Sequence, residues 1–161
     1  MRIYEDLIDL KGGETMLKFL EEAKPMRGCV HLEIKKGGKI ISTEDDHNLI
    51  VTGGRAKLAR LMGGGYGGHI TQVGVGEGTN AASESDTGLT NCVKVNVESA
   101  TYEGTSVKFN FCVGTGQANG LNVREFGLFF ADGTMFSRRV RQSVIGKESD
   151  IEITGYWEIY L

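Results

Sequence analysis

The chain has 161 residues and a formal net charge of −3 at pH 7. One domain of ordinary size is expected, and general binding to a nucleic-acid backbone is excluded. The 24 glycines and single proline are typical of many tight turns between strands. No apolar run reaches the roughly 18 residues that a membrane helix needs. The three separated cysteines indicate reduced thiols rather than a zinc site or a disulfide framework.

Residues 1–27 differ from the rest of the chain and are predicted to form a separate N-terminal arm. Within them, residues 14–24 are predicted to be helical, because Met16, Leu17 and Leu20 recur at three- and four-residue spacing. An arm that packs on a neighbouring subunit and a helix that covers its own sheet both fit this pattern. The candidate assembly residues are Ile3, Tyr4, Leu7, Ile8, Leu17 and Leu20.

The main domain is predicted to span residues 28–161 and to begin with a β-hairpin over residues 28–42. A polar loop is expected at residues 44–48. Residues 49–62 are predicted to contain the main domain's one helix, with Thr52 or Gly53 as its N-cap and three glycines after it.

The remaining strands are predicted from apolar residues that alternate with polar ones. They are placed at residues 70–75, 93–98, 107–113, 123–130, 135–140 and 151–161. Asp132-Gly133 predicts a hairpin with a type I′ turn, which requires positive φ at both positions. In the last strand, the residues predicted to face inward are Ile151, Ile153, Trp157, Ile159 and Leu161.

About eight strands in series with one helix favour a mainly β fold. The predicted architecture is an antiparallel, jelly-roll-like β-sandwich with one short helix and an N-terminal arm. A closed barrel is the alternative.

The sequence contains no motif that indicates an enzyme. The glycine-rich residues 74–78 follow a strand but precede no helix, so they are interpreted as a sharp turn rather than a nucleotide site. The carboxylates at residues 44–46 and 84–86 lack the spacing of a calcium loop and are interpreted as solvated. His31, His47 and His69 lack the spacing of a zinc site. No catalytic residue, metal or cofactor is therefore predicted.

A local basic run contains the candidate partner-binding residues Arg138, Arg139 and Arg141. These arginines are suited to grip an acidic partner or a phosphate. The alternative is a charged strand edge that discourages unwanted strand pairing.

Four motifs carry a family resemblance through their order and spacing. They lie within NLIVTGGRAKLARLMGGG, ITQVGVGEGTNAASESDTGLTN and VREFGLFFADGTMFSRRV. The matching positions are residues 48–62, 73–79, 86–89 and 125–134. Over residues 47–161, the chain resembles small tail-associated structural proteins of bacteriophages and prophages.

The resemblance implies a non-enzymatic virion protein that is assembled in the host bacterial cytoplasm. It implies a homo-oligomer, a trimer or a ring, that docks onto other tail, collar, fibre or capsid proteins. No catalytic residue is implied, and no direct contact with nucleic acid or membrane is expected.

Two other functions are consistent with the residues. One is a carbohydrate- or receptor-binding module of a host-facing appendage, in which exposed tyrosines stack on sugar rings. The candidate tyrosines are Tyr66, Tyr102, Tyr156 and Tyr160. The other is a hydrolase with a spatially assembled site, which an Asp–His pair in a pocket would favour.

Overall fold

The computed structural model describes residues 3–10, 14–21 and 25–161, the first two ranges at the level of the backbone only. The elements in chain order are β1 (Ile3–Leu10), β2 (Glu14–Glu21), β3 (Arg27–Lys36), β4 (Lys39–Ile50), α1 (Thr52–Met62), β5 (Ile70–Gly76), β6 (Val93–Glu103), β7 (Ser106–Val113), β8 (Asn122–Phe130), β9 (Met135–Gly146) and β10 (Ile151–Tyr160).

Strands β3 to β10 form a closed antiparallel barrel in the order β10-β3-β4-β9-β8-β5-β6-β7. The expected number of about eight strands is confirmed. The predicted jelly-roll-like β-sandwich is wrong, because β10 pairs with β3 on one side and with β7 on the other. That double pairing joins the two ends of a single sheet and removes the free edges that a sandwich would leave.

The interior of the barrel is filled by apolar side chains, as expected for eight strands, and β4 contributes only Ile50 to it. Trp157 lies among them with no exposed surface. Gly155 is required beside it, because a Cβ at this position would lie 2.1 Å from the carbonyl oxygen of His31. The predicted inward position of Leu161 is wrong, since β10 ends at Tyr160 and Leu161 is 65% exposed.

The first two strands pair antiparallel in a two-stranded sheet of their own. The helix predicted for residues 14–24 is therefore wrong over Glu14–Glu21. Apolar residues three and four positions apart fit one helix face, but here they occupy both faces of a strand. The division of the chain at residues 27 and 28 remains a prediction.

Strand β4 runs without interruption to Ile50, so the predicted polar loop at residues 44–48 is wrong. The predicted helix and its end at the glycines after Met62 are confirmed, but the predicted N-cap is wrong. The N-cap residue is Val51, which has an extended backbone and makes no side-chain capping bond. The first turn lies close to β9, because Gly54 has only hydrogen where a Cβ would approach the Phe136 carbonyl oxygen to 2.5 Å.

The turn between β8 and β9 also differs from its prediction. Gly133 has a φ of 87°, whereas Asp132 does not have a positive φ, so the turn is not type I′. Instead, the Asp132 carboxylate accepts a hydrogen bond from the Thr134 N–H at 3.0 Å. Its other oxygen lies 2.5 Å from Lys57 Nζ and ties this turn to α1.

Candidate functional site

An apolar cavity of about 440 Å³ lies at the end of the barrel where β5 and β7 begin and β6 and β10 end. We call it the mouth cavity. Its walls include the buried rings of Phe109, Phe130 and Phe136. Leu58 and Leu61 of α1 cover one side. This arrangement is suited to an apolar occupant, since barrel ends are common binding sites.

The rim of the mouth cavity is exposed and apolar. Tyr102, from the end of β6, is 81% exposed, and Leu161 follows β10. The Leu161 N–H donates a hydrogen bond to the Thr105 carbonyl oxygen at 3.0 Å, which fixes the C-terminal backbone at the rim. Exposed large apolar side chains around a cavity are typical of an interaction surface.

The helix beside the mouth cavity is held by a buried lysine. Lys57 Nζ donates hydrogen bonds to the Asp132 carboxylate and to the Tyr66 carbonyl oxygen, the latter at 2.9 Å. The hydrogen bond from Lys57 lowers the pKa of Asp132 to about 2, with help from Thr134. Asp132 is therefore ionised at neutral pH and links α1 to the β8–β9 turn.

A second group of charges lies under the long loop between β5 and β6. Glu125 is fully buried and accepts hydrogen bonds from the N–H groups of Gly78 and Thr90 at 2.7 and 2.6 Å. Arg138 donates to Glu125 at 2.8 Å and to Asp86 at 2.7 Å. These contacts fix the loop onto the outer surface of the barrel.

The glycine-rich residues 74–78 make this packing possible. A Cβ at Gly78 would lie 2.5 Å from a Glu125 carboxylate oxygen, and one at Gly76 would lie 2.6 Å from the Thr90 carbonyl oxygen. These glycines therefore permit a close approach, but the predicted sharp turn is wrong, because strand β5 continues through residues 74–76. The interpretation of Asp86 as a solvated loop carboxylate is wrong, because its side chain is 21% exposed and bonded to Arg138.

The electrostatics of the loop contact follow from burial and ion pairing. Burial alone would raise the pKa of Asp86, but the Ser83 N–H and Arg138 outweigh it and lower that pKa. Burial likewise opposes the charge of Arg138, whereas Asp86 and Glu125 raise the pKa of Arg138 above its ordinary value. Both groups are therefore charged at neutral pH.

Arg139 and Arg141 also have partners within the barrel. Arg139 Nη2 donates to Asp46 at 2.8 Å, and Arg141 Nε donates to Glu44 at 2.9 Å. The bond from Arg141 lowers the pKa of Glu44 below its usual range. The candidate partner-binding arginines are thus close together but buried, and Arg138 and Arg141 are occupied by intramolecular bonds.

The outer face of β3 and β4 contains the chain's clearest cluster of ionisable side chains. His31 Nδ1 lies 2.7 Å from Asp45, and Cys29 Sγ lies 3.5 Å from His47 Nδ1. The His31 ring stacks on Tyr156 with centroids 4.9 Å apart. Together with neighbouring side chains they line a shallow cavity of about 320 Å³.

This cluster contains an Asp–His pair and a Cys–His pair, which are parts of hydrolase sites. Strand β3 supplies no oxyanion hole to it, because β3 is paired with β10 on one side and with β4 on the other. An oxyanion hole needs donors free to face the reacting oxygen. Within residues 25–161, no group of three or more His, Cys, Asp or Glu side chains is arranged to hold a metal.

The four tyrosines predicted to stack on sugars lie in different environments. Tyr66 is fully exposed, and Tyr102 lies on the rim of the mouth cavity. Tyr156 is covered by His31 and by Lys108, whose Nζ lies 4.4 Å from the ring centroid. Tyr160 is covered by Arg27. Only the first two present a free ring among the described residues.

The candidate assembly residues lie in β1 and β2, whose side chains are outside the described structure. The backbone register places Tyr4 opposite Leu20 and Leu7 opposite Leu17. Ile8 lies opposite Met16. Sequence reasoning missed the mouth cavity, because its walls come from strands, helix and C-terminus that are far apart in the chain.

Comparisons of the chain with protein-family models, with curated proteins and with solved structures found no match. In the described part of the chain, no helix has both the length and the apolarity to cross a membrane.

Proposed function

We propose that this protein is a non-enzymatic structural component of a bacteriophage particle that self-associates and docks onto other tail, collar or capsid proteins. The observation that carries this proposal is the separate two-stranded sheet of β1 and β2. Alternation assigns Tyr4 and Ile8 to one face and Ile3 and Leu7 to the other. A two-stranded hairpin is marginal alone in water, so one with apolar positions on both faces requires a covering surface.

The mouth cavity is the surface on which we propose that a neighbouring copy's hairpin docks. Its walls are apolar, and the exposed Tyr102 and Leu161 extend them outward. Exchange of the same element between identical copies leads to a closed symmetric oligomer, such as a trimer or a ring. The order of the four motifs in residues 47–161 supports placing this assembly in a virion.

Deletion of residues 1–24 tests the role of the hairpin. The full chain is expected to form an oligomer in sedimentation equilibrium, and the shortened chain is expected to be monomeric. Far-UV circular dichroism and the thermal midpoint show whether the barrel of the shortened chain remains folded. A full chain that stays monomeric at all accessible concentrations would contradict self-association.

Point substitutions test the mouth cavity. Tyr102→Asp and Leu161→Asp place a charge on the apolar rim and are expected to weaken the oligomer by at least about tenfold. Ile41→Asp is the matched control, since Ile41 is 58% exposed on β4 and lies outside the mouth cavity. Equal weakening by all three substitutions would argue against docking there.

Mass spectrometry of purified particles tests the virion assignment. The particles are those released from bacterial cells that carry the gene, and the protein is expected in them at a fixed ratio to the other tail or capsid proteins. Particles that lack the protein would exclude the assignment even if the protein self-associates.

The exposed rings of Tyr66 and Tyr102 favour a second candidate function, a carbohydrate-binding module of a host-facing appendage. Aromatic rings with a free face stack on sugar rings. A glycan array tests this candidate, with Tyr66→Ala and Tyr102→Ala as the variants that should lose any signal. An array without hits would eliminate it.

A further inference from the structure

A cleft in the barrel wall separates most of β4 from β9. The two strands are paired only through Leu49 with Arg138 and Ile50 with Ser137. Beyond these two pairs, side-chain ion pairs join them, including those from Arg139 to Asp46 and from Arg141 to Glu44. We call this gap, together with the neighbouring residues 79–82, the β4–β9 cleft. It contains an open cavity of about 640 Å³.

The walls of the β4–β9 cleft are rich in positive charge. Four arginines line it: Arg124, Arg138, Arg139 and Arg141. Carboxylates pair with the last three, but no aspartate or glutamate of residues 25–161 is among the lining residues. The cavity surface therefore favours a negatively charged occupant.

Most of the unpartnered buried polar atoms in residues 25–161 belong to residues that line this cleft. They are Nε and Nη1 of Arg139, Nε of Arg124, and both Nδ2 and Oδ1 of Asn48. The Arg139 side chain is only 8% exposed. Buried polar groups are normally hydrogen-bonded, and each one left without a partner destabilises the fold. These atoms point to a ligand that supplies the missing bonds.

The atoms also define the chemistry of that ligand. The three nitrogen atoms named above belong to two guanidinium groups and are donors only, so they require acceptor oxygens. A carboxylate supplies such oxygens and carries the opposite charge to the guanidinium groups. The Asn48 amide, which packs over Gly28 of β3, has one donor group and one acceptor without partners, the complement of a peptide group. The unpaired edges of β4 and β9 provide further backbone bonds for an extended chain.

We propose that the β4–β9 cleft binds an extended peptide segment through an acidic side chain, with Arg124 and Arg139 contacting the carboxylate and Asn48 contacting the peptide group. Arg138 and Arg141 fix the walls through their own ion pairs. This site is separate from the mouth cavity and does not depend on exchange of the hairpin.

The test uses the full chain and two small probes that differ only in charge, N-acetylglutamate N-methylamide and N-acetylglutamine N-methylamide. Nuclear magnetic resonance follows the Nε–H signals of Arg124 and Arg139 during titration. The glutamate probe is expected to produce saturable shifts of both signals. The glutamine probe is expected to bind at least about tenfold more weakly, because it lacks the charge.

Three variants locate the binding. Arg124→Gln is expected to weaken the glutamate probe by about tenfold. Arg55→Gln is the control, since Arg55 is exposed on α1 and lies outside the cleft. Asn48→Ala is expected to weaken the glutamate probe but not acetate, which has no peptide group. A dispersed amide spectrum confirms that each variant is folded.

Other outcomes would overturn the proposal. Non-saturable shifts, or equal binding of the two probes, would exclude recognition of a carboxylate at this cleft. Tighter binding of inorganic phosphate than of the glutamate probe would assign the site to a different anion. Binding of acetate as tight as that of the glutamate probe, with no effect of Asn48→Ala, would exclude a peptide as the source of the carboxylate.

Discussion

Glu125 is the residue on which the long β5–β6 loop depends. It lies under that loop with no exposed surface, and its carboxylate contacts two backbone N–H groups and Arg138. A carboxylate in this position is stable only while all of these partners remain, since an unpaired buried charge is strongly unfavourable.

Glu125→Gln is therefore expected to lower the free energy of unfolding by about 3 kcal/mol, because Arg138 loses one of its two carboxylate partners. Denaturation in urea measures the change. Glu84→Gln is the matched control, since Glu84 is 62% exposed and lies 3.9 Å from Arg55. It is expected to change the stability by less than about 0.5 kcal/mol. Equal effects of the two substitutions would show that the loop does not depend on the buried pair.

Lys147 is a buried cation at the end of the barrel opposite the mouth cavity. It has no exposed surface, and its Nζ donates hydrogen bonds to Asn119 Oδ1 at 2.9 Å and to the Glu148 carbonyl oxygen at 3.1 Å. Burial lowers its pKa below the ordinary value of 10.5. Between the folded and unfolded pKa values the unfolded state binds more protons, so stability rises as the pH increases toward 10.5.

Lys147→Met is expected to remove this contribution, so that the stability of the variant increases less with pH, or decreases more, than that of the wild type over the same alkaline range. Urea denaturation at a series of pH values measures the slope. Lys36→Met is the control, because Lys36 is 60% exposed and lies 3.8 Å from Asp150. The control should keep the wild-type slope. A Lys147→Met variant that keeps the wild-type slope would contradict the assignment.

At the scale of elements, the position of α1 depends on two adjacent glycines with different surroundings. A Cβ at Gly54 would lie within 3 Å of three backbone atoms of Phe136, whereas a Cβ at Gly53 would have no atom within 4 Å. The helix prefers alanine at both positions on propensity alone.

Gly53→Ala is expected to stabilise the protein by about 0.5 kcal/mol through helix propensity. Gly54→Ala is expected to destabilise it by about 1–3 kcal/mol, because the backbone of β9 must move away from α1. The thermal midpoints of the two variants measure the difference. Two changes of the same sign would show that α1 does not depend on its close approach to β9.

The strands of the barrel were predictable where one face is apolar. The alternation of β7 and β10 predicts their positions and most of the apolar residues that they bury, with Leu161 as the exception. The first residues of β4 were predicted as part of a hairpin, but its continuation through residues 44–48 was not, because charged Glu44 and Asp46 occupy positions opposite the buried Leu32 and Val30. Their stability comes from arginines of β9, and no local pattern in the sequence indicates such a distant pairing.

The candidate sites were predictable only in part. The basic run of β9 was identified, but the depth of Arg139 and the unpartnered amide of Asn48 depend on where β4 and β9 separate. The helix predicted for residues 14–24 failed for a different reason. Its short apolar pattern fits either periodicity, and pairing with β1 decides between them.

At the scale of the whole molecule, the barrel has one weak closure. Strands β4 and β9 share only two residue pairs, and ion pairs from arginines to Glu44 and Asp46 join the rest. Closure of the sheet therefore depends on ionised carboxylates in a way that the apolar interior does not. Acid is expected to protonate these carboxylates, and those in the ion pairs that fix the β5–β6 loop and α1, and so to break these contacts first.

The resulting prediction concerns stability in acid. Hydrogen bonding to Arg141 lowers the pKa of Glu44 from 4.5, and bonding to Lys57 lowers the pKa of Asp132 from 3.8 to about 2. In this range the unfolded state binds more protons, so these groups stabilise the fold above pH about 4.5 and cease to do so as the pH falls toward 2. The thermal midpoint is expected to fall by roughly 10 °C between about pH 6 and pH 3.

Glu44→Gln should lower the midpoint at neutral pH and make this fall smaller. Glu98→Gln, at an exposed carboxylate that forms no ion pair within residues 25–161, should leave both unchanged. If the thermal midpoint falls by the same amount in Glu44→Gln as in the wild type, the closure of β4 against β9 does not depend on the ion pair between Glu44 and Arg141.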